Sequence, residues 1–145
     1  MEPRLDFYKA SPNAIKGMLT LEETVKRSGL EHSLVELVKL RASQINGCAF
    51  CVDMHTTDAR KGGEGERRLA TVSVWRETPF FTDRERAALE WTESLTLISE
   101  NHVPDETWAR VRPHFSDAEL ADLTLLIVAI NGWNRFAVAF RKMPA

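Results

Sequence analysis

Apolar residues recur at every third or fourth position along most of the chain, which is the spacing of one face of an α-helix. No segment of four to eight residues alternates apolar with polar positions between turn signals, as a half-buried β-strand would. The pattern therefore predicts an all-α fold, a single-domain helical bundle that covers residues 1–145.

Breakers and capping residues divide this pattern into seven predicted helices. They cover approximately residues 12–28, 33–45, 48–62, 67–74, 82–99, 104–113 and 117–142, the last interrupted at Gly132. Three segments match the Ser/Thr-x-x-Glu capping box, in which two side chains satisfy free N–H groups at a helix start: Ser33 with Glu36, Thr82 with Glu85, and Ser116 with Glu119.

The last predicted helix is apolar on nearly every side. Leu120 and the run from Leu123 to Ile130 leave little polar surface, so protein must surround this segment. It either passes through the centre of the bundle or meets another subunit. The aromatic residues Trp133, Phe136 and Phe140 favour some contribution from a subunit interface.

The composition is that of an ordinary globular domain, and it excludes several function classes. The chain has 145 residues, 43% of them hydrophobic and 28% charged, which fits one domain that folds without disulfides or a structural metal. The net charge of −2 provides no basic field to attract nucleic acid. No metal, flavin or nucleotide motif is visible, so no cofactor is expected.

The chain also has no segment expected to span a membrane. Its longest uninterrupted apolar run, from Leu125 to Ile130, has six residues, whereas a spanning helix needs about twenty. The first residues lack the apolar core of a signal peptide, so we expect a cytoplasmic protein whose thiols begin reduced.

The chemistry of the sequence concentrates in two cysteines and a histidine. Cys48 and Cys51 are separated by two residues, and His55 follows four residues later. On one helix these three side chains share a stripe about 60° wide. Both sulfurs would lie in the first helical turn, where free N–H groups and the helix dipole favour thiolate. His55 would be close enough to take a thiol proton.

Two thiols this close form a reversible two-electron couple, because either can close a disulfide with the other. A neighbouring thiol also condenses with a sulfenic acid before that acid is oxidised irreversibly. Two other interpretations remain open. The cysteines can be small core residues, or Cys48, Cys51, His55 and Glu36 can bind structural zinc, although zinc ligands usually come from two separated segments.

Two carboxylates are candidates to orient His55. By spacing alone, Glu36 is the carboxylate of a capping box that begins at Ser33, and its oxygens would then turn back to the helix start. Asp58 lies one turn beyond His55 but points outward past the stripe of sulfur atoms.

The stretch from Glu36 to His55 resembles the signature of alkylhydroperoxidase AhpD-like proteins, within the carboxymuconolactone decarboxylase-like superfamily. The shared features are a Glu twelve residues before a C-x-x-C pair and a His four residues after it. The strong similarity extends from about Leu30 to Gly63, and residues 130–135 are similar to the closing helix of short members. Members without the cysteines perform other chemistry, including lactone decarboxylation.

The resemblance implies a peroxidase. Cys51 would be the peroxidatic cysteine, which takes oxygen from a hydroperoxide, and Cys48 would resolve the sulfenic acid. His55 and Glu36, joined through water, would form the proton relay. It also implies a homotrimer or homohexamer, and an external dithiol, such as a lipoyl group, that reduces the disulfide. The alternative is a redox-sensing or disulfide-exchange oligomer without efficient peroxidase turnover.

One position departs from the family pattern. The residue before the second cysteine is Phe50, where the best-known relative has a His. An aromatic ring there should make the pocket drier, which opposes thiolate formation and favours an organic hydroperoxide over hydrogen peroxide.

Overall fold

The computed structural model describes all 145 residues and contains helices but no strands, which confirms the all-α prediction. The α-helices are α1 (Phe7–Ala10), α2 (Pro12–Lys26), α3 (His32–Ile45), α4 (Ala49–Lys61), α5 (Glu66–Thr71), α6 (Asp83–Thr96), α7 (Ile98–Asn101), α8 (Asp105–Val111) and α9 (Asp117–Phe140). Two 3₁₀ segments, Val72–Glu77 and Arg112–His114, follow α5 and α8.

Helix α9 passes through the centre of the bundle, one of the two arrangements that its apolar sequence predicts. It packs against α2, α3, α4 and α6. Leu123, Leu126 and Ile127 are buried in the largest core cluster, whereas Val128 on the opposite face is 55% exposed. By length and composition α9 is apolar enough to cross a membrane, but here it packs among α2, α3, α4 and α6 in the core of the bundle.

The predicted interruption of this helix at Gly132 is wrong. Helix α9 runs continuously from Asp117 to Phe140. A Cβ atom at Gly132 would lie 2.9 Å from the terminal methyl group of Met18 on α2. Gly132 therefore permits a close approach between two helices rather than ending one.

Two of the three predicted capping boxes form, and the third does not. Thr82 and Ser116 begin α6 and α9 with the reciprocal hydrogen bonds of the motif. Helix α3 instead begins at His32, one residue before Ser33, and its N-cap residue, Glu31, makes no side-chain capping bond. The carboxylate of Glu36 is therefore not turned back to the helix start but is buried in the protein interior.

Candidate active site

The two cysteines lie at the tight turn between α3 and α4. Gly47 has a φ of 65°, a left-handed conformation that glycine adopts without strain. Cys48 follows as the N-cap residue of α4, so its predicted place inside the helix is wrong. Its extended backbone lets Sγ accept a hydrogen bond from the Cys51 N–H group at 3.3 Å. The two sulfur atoms are joined in a disulfide, with 5.3 Å between the Cα atoms.

Both sulfurs are buried, but they face different surroundings. Cys48 and Cys51 are 1% and 2% exposed and pack with Ala137 of α9 and with the Phe50 ring. Cys51 lines a cavity of about 660 Å³, whereas Cys48 does not. Of the two sulfur-bearing residues, Cys51 is therefore the one that a small molecule in the cavity meets first.

His55 and Glu36 form a buried pair in the wall of the same cavity. His55 is one turn beyond Cys51 on α4, and its Nδ1 atom lies 3.2 Å from Oε2 of Glu36 on α3. The contact is direct, with no room for the water that the resemblance implies. Burial alone raises the pKa of Glu36, but the hydrogen bond and charge of His55 and the charge of Lys39 together bring it below its ordinary value. The carboxylate is therefore ionised at neutral pH.

Asp58, the rival carboxylate, makes no hydrogen bond with His55, although it lines the cavity. One oxygen of Asp58, one oxygen of Glu36 and one ring nitrogen of His55 lie within 4.8 Å of one another. These three residues are the group that could hold a divalent ion. They differ from the four zinc ligands considered above, because both cysteines are in the disulfide.

The cavity also contains a second charged pair, Lys39 with Glu22, which the sequence pattern does not predict. The Lys39 ammonium lies 3.0 Å from Oε2 of Glu22, and the indole N–H of Trp133 donates to the other carboxylate oxygen, also at 3.0 Å. Lys39 is only 8% exposed. The three-residue spacing that places Lys39 one turn after Glu36 on α3 indicates that the two side chains share a face, but the sequence around Lys39 does not indicate its partner, Glu22.

A buried polar network holds the turn before Cys48 against α9. The amide group of Asn46 donates to the side-chain oxygens of Asn131 and Asn134, each at 2.9 Å. Asn134 in turn donates to the Ser43 hydroxyl at 3.0 Å, and Ser43 donates to the Lys39 carbonyl. The sequence pattern does not predict this network. It holds the cysteine pair in position relative to α9.

Aromatic residues from the two ends of the chain form one wall of the cavity. The ring of Phe7 packs 5.3 Å from that of Phe136, and Tyr8 stacks on Trp133 at 6.4 Å. The backbone N–H of Arg4 donates to the Phe140 carbonyl at 3.0 Å. Aromatic residues of α9 that suggested a subunit interface thus contact the N-terminal segment of their own chain.

Comparison with known proteins finds both a family match and sequence relatives for this chain. The model of the carboxymuconolactone decarboxylase family matches residues 12–94, a range that contains Glu36, both cysteines and His55. The uncharacterized protein YdfG of Bacillus subtilis (strain 168) is 45% identical over 145 residues, which are 100% of this chain and 99% of YdfG.

Solved structures share the fold. One is a protein of unknown function from Agrobacterium tumefaciens, whose name suggests an antioxidant defence protein AhpD; it is 49% identical, with a TM-score of 0.97 and 99% of each chain covered. Another, an uncharacterized peroxidase-related protein from Silicibacter sp. TM1040, is 21% identical with a TM-score of 0.82, covering 95% of this chain and 73% of that one. The second likeness shows the fold alone.

Proposed function

This chain belongs to the carboxymuconolactone decarboxylase family and is AhpD-like, and from that premise we propose that it is a thiol-dependent peroxidase that reduces hydroperoxides. One observation carries the proposal. Cys51 lines a cavity of about 660 Å³ whose wall also contains the His55–Glu36 pair, and Cys48 lies outside that cavity as the disulfide partner of Cys51. The family name also covers decarboxylation, but the cysteine pair favours redox chemistry.

In the proposed cycle the Cys51 thiolate attacks the distal oxygen of a hydroperoxide, the O–O bond breaks, and the departing alkoxide takes a proton to become an alcohol. Cys51 becomes a sulfenic acid. The Cys48 thiolate then attacks the sulfur of Cys51, and hydroxide leaves and is protonated to water as the disulfide forms. Two electrons pass from the two thiols to the O–O bond.

His55 and Glu36 support this cycle as a proton relay. The N terminus of α4 favours the thiolate of Cys51, and His55, one turn further on the same helix, takes the thiol proton and later returns it to a leaving oxygen. The ionised Glu36 orients the imidazole through its contact with Nδ1 and stabilises the imidazolium form.

The disulfide must be reduced for a second turnover, and we propose an external dithiol of the lipoyl type as the electron donor. Both sulfurs are almost fully buried, so a reductant reaches Cys51 through the cavity. A slender dithiol arm suits that route better than a broad protein surface. It returns two electrons and two protons to the pair. We place this cycle in the cytoplasm, where thiols are kept reduced.

We also propose a homotrimer or homohexamer. The exposed apolar side chains of Ile98 and Val128 lie together beside Leu95 at one surface depression, where another copy of the chain would cover them. Light scattering coupled to size-exclusion chromatography gives the subunit number, and a monomer at all concentrations would contradict this part of the proposal.

The roles of the two cysteines are tested by trapping the sulfenic acid. Reduced Cys48→Ser protein is treated with one equivalent of cumene hydroperoxide in the presence of dimedone, and the adduct is located by peptide mass spectrometry. We expect the adduct on Cys51. Wild-type protein should instead lose both thiols and gain no adduct, because Cys48 closes the disulfide first.

The matched variant is Cys51→Ser, which should form little adduct on Cys48. An adduct on Cys48 in that variant, with none on Cys51 in the other, would reverse the assigned roles. If hydroperoxide oxidises neither variant at a measurable rate while the disulfide of the wild-type protein still exchanges with dihydrolipoamide, the disulfide-exchange alternative holds instead.

A further inference from the structure

The cavity is far larger than hydrogen peroxide requires. Its volume of about 660 Å³ equals that of some twenty water molecules at roughly 30 Å³ each, and it lies within the range of pockets that bind organic ligands. Much of its wall is hydrocarbon: Phe7, Tyr8, Leu19, Phe50, Met54 and Trp133. The space and the wall both suit a substrate with a hydrocarbon body.

Two lysines in this wall, Lys61 and Lys142, make no ion pair, and of these only Lys142 lies over aromatic rings. The ammonium of Lys142 lies over three aromatic rings, with centroid distances of 4.7 Å to Tyr8, 4.8 Å to Phe50 and 5.6 Å to Phe7, and it makes no ion pair. Its backbone is held by a hydrogen bond from the Lys142 N–H to the Ala137 carbonyl at 2.9 Å. By contrast, Glu22 neutralises Lys39, the buried lysine of the same cavity.

The remaining charges of the cavity leave this cation available. Four lysines line the cavity against three carboxylates, although the whole chain has a net charge of −2. Glu22 contacts Lys39, and Glu36 contacts His55. Asp58, the third carboxylate, makes no ion pair and lies three residues from Lys61 on α4.

Lys142 is also connected to the cysteines through a single side chain. The Phe50 ring packs against the cluster formed by Cys48, Cys51 and Ala137. The Lys142 ammonium lies over the face of the same ring. A molecule that binds Lys142 therefore lies one aromatic ring from the cysteine pair.

We propose that the substrates of this cavity are organic hydroperoxides that also bear a carboxylate, with Lys142 as the residue that selects for the negative charge. The inference rests on the proposed peroxidase function. The carboxylate pairs with Lys142, the hydrocarbon body lies along the rings of Phe7, Tyr8 and Phe50, and the hydroperoxide reaches Cys51. The carboxylate is unchanged by the reaction, in which the O–O bond breaks and Cys51 is oxidised as described above.

The test compares two substrates of the same shape and different charge, 4-(2-hydroperoxypropan-2-yl)benzoate and its methyl ester. The rate of disulfide formation in reduced protein is followed by quenched-flow thiol trapping and intact mass. We expect the acid to react about tenfold faster than the ester, the effect of one charge-assisted contact of about 1.4 kcal/mol. Lys142→Gln should bring this ratio close to one, and Lys142→Arg should preserve it.

The matched control is Lys16→Gln, which removes one positive charge from an exposed position of α2 outside the cavity and should keep the wild-type ratio. Equal rates for acid and ester in the wild type, or an unchanged ratio in Lys142→Gln, would overturn the proposal. A fall in both rates without a change in their ratio would mean that Lys142 has a structural role only, which also overturns it.

A binding measurement separates this inference from the proposed function. Isothermal titration of the disulfide form with 4-isopropylbenzoate needs no peroxidase chemistry. Saturable binding that Lys142→Gln weakens about tenfold supports the anion site even if no hydroperoxide oxidises the thiols. Binding that is equally strong in Lys142→Gln, or no binding to the wild type, contradicts the anion site.

Discussion

His55 illustrates how the surroundings of a single residue decide what it can do. A histidine alone in a helix is most often a structural residue, but here its Nδ1 atom contacts an ionised carboxylate and its ring lies in the cavity with Cys51. That contact fixes the ring orientation and leaves the other nitrogen for proton transfer. The chemistry of the site depends on this one contact between α4 and α3.

The first prediction concerns that proton transfer. We expect His55→Gln to slow the oxidation of Cys51 by cumene hydroperoxide about 100-fold at pH 7, because the variant removes the base that accepts the thiol proton. The rate is measured by quenched-flow thiol trapping. His102→Asn, at an exposed position in the left-handed region that asparagine tolerates, is the control and should react at the wild-type rate. Equal rates in both variants would remove His55 from the mechanism.

The second residue-scale prediction follows from the lowered pKa of Glu36. Burial raises the pKa of Glu36, but the hydrogen bond and charge of His55 bring this pKa in the folded state below its ordinary value in the unfolded chain. The folded state thus binds this proton less tightly. The stabilisation is fully present above the unfolded pKa and is lost as the pH falls through the folded pKa.

Wild type should therefore lose its stability advantage over Glu36→Gln as the pH is lowered from about 5 towards 3. Urea unfolding at several pH values measures the difference in free energy of unfolding. Glu2→Gln, at an exposed N-terminal position, is the control. A difference between wild type and Glu36→Gln that stays constant with pH would show that Glu36 titrates alike in the folded and unfolded states.

At the scale of the elements, the same four-residue motif gives two outcomes. Ser116 and Ser33 both begin a Ser-x-x-Glu sequence, yet only Ser116 caps its helix. Leu34 and Leu37 decide the difference, because both are buried, and their burial sets the rotation of α3 and turns Glu36 inward. Packing of the apolar face thus determined the helix start that the motif alone predicted incorrectly.

We expect Ser116→Ala to lower the free energy of unfolding by about 1 kcal/mol, because it removes the side-chain acceptor for the Glu119 N–H at the start of α9. Ser33→Ala is the matched variant and should cost nothing, since the exposed Ser33 hydroxyl caps no helix. Urea unfolding of both variants makes the comparison. A similar loss in Ser33→Ala would contradict the helix start at His32.

At the scale of the whole molecule, α9 is the element to which the site is anchored. It supplies Ala137 to the cysteine cluster and Trp133 to the cavity, and Asn134 to the network that holds the turn before Cys48. Since α9 also contributes to the largest core cluster, the site is built on a helix that packs in the core of the fold.

Asn134→Ala should therefore destabilise the protein by about 1–3 kcal/mol, because it removes one buried and one partly buried hydrogen bond and leaves groups of Ser43 and Asn46 with fewer partners. Urea unfolding gives the value, and Asn13→Ala, exposed on α2, is the control. A loss no larger than that of the control would show that this network contributes little to the anchoring of α3 on α9.

The sequence by itself determined the helical architecture and the local chemistry of the site. Helix periodicity, the boundary between the helices predicted at 33–45 and 48–62, and two of the three capping boxes are properties of short segments. The spacing of Cys48, Cys51 and His55 is such a property too. Such features depend on neighbours within one or two helical turns, which a sequence displays directly.

Only the tertiary structure decided which groups those residues meet. Glu36 and His55 lie 19 positions apart, and Lys39 and Glu22 lie 17 positions apart. Lys142 contacts Phe7 and Tyr8 from the opposite end of the chain. The relative placement of helices fixes these partners, and that placement comes from the packing of apolar side chains over the entire core. Patterns among neighbouring residues in the sequence do not indicate this placement of the helices.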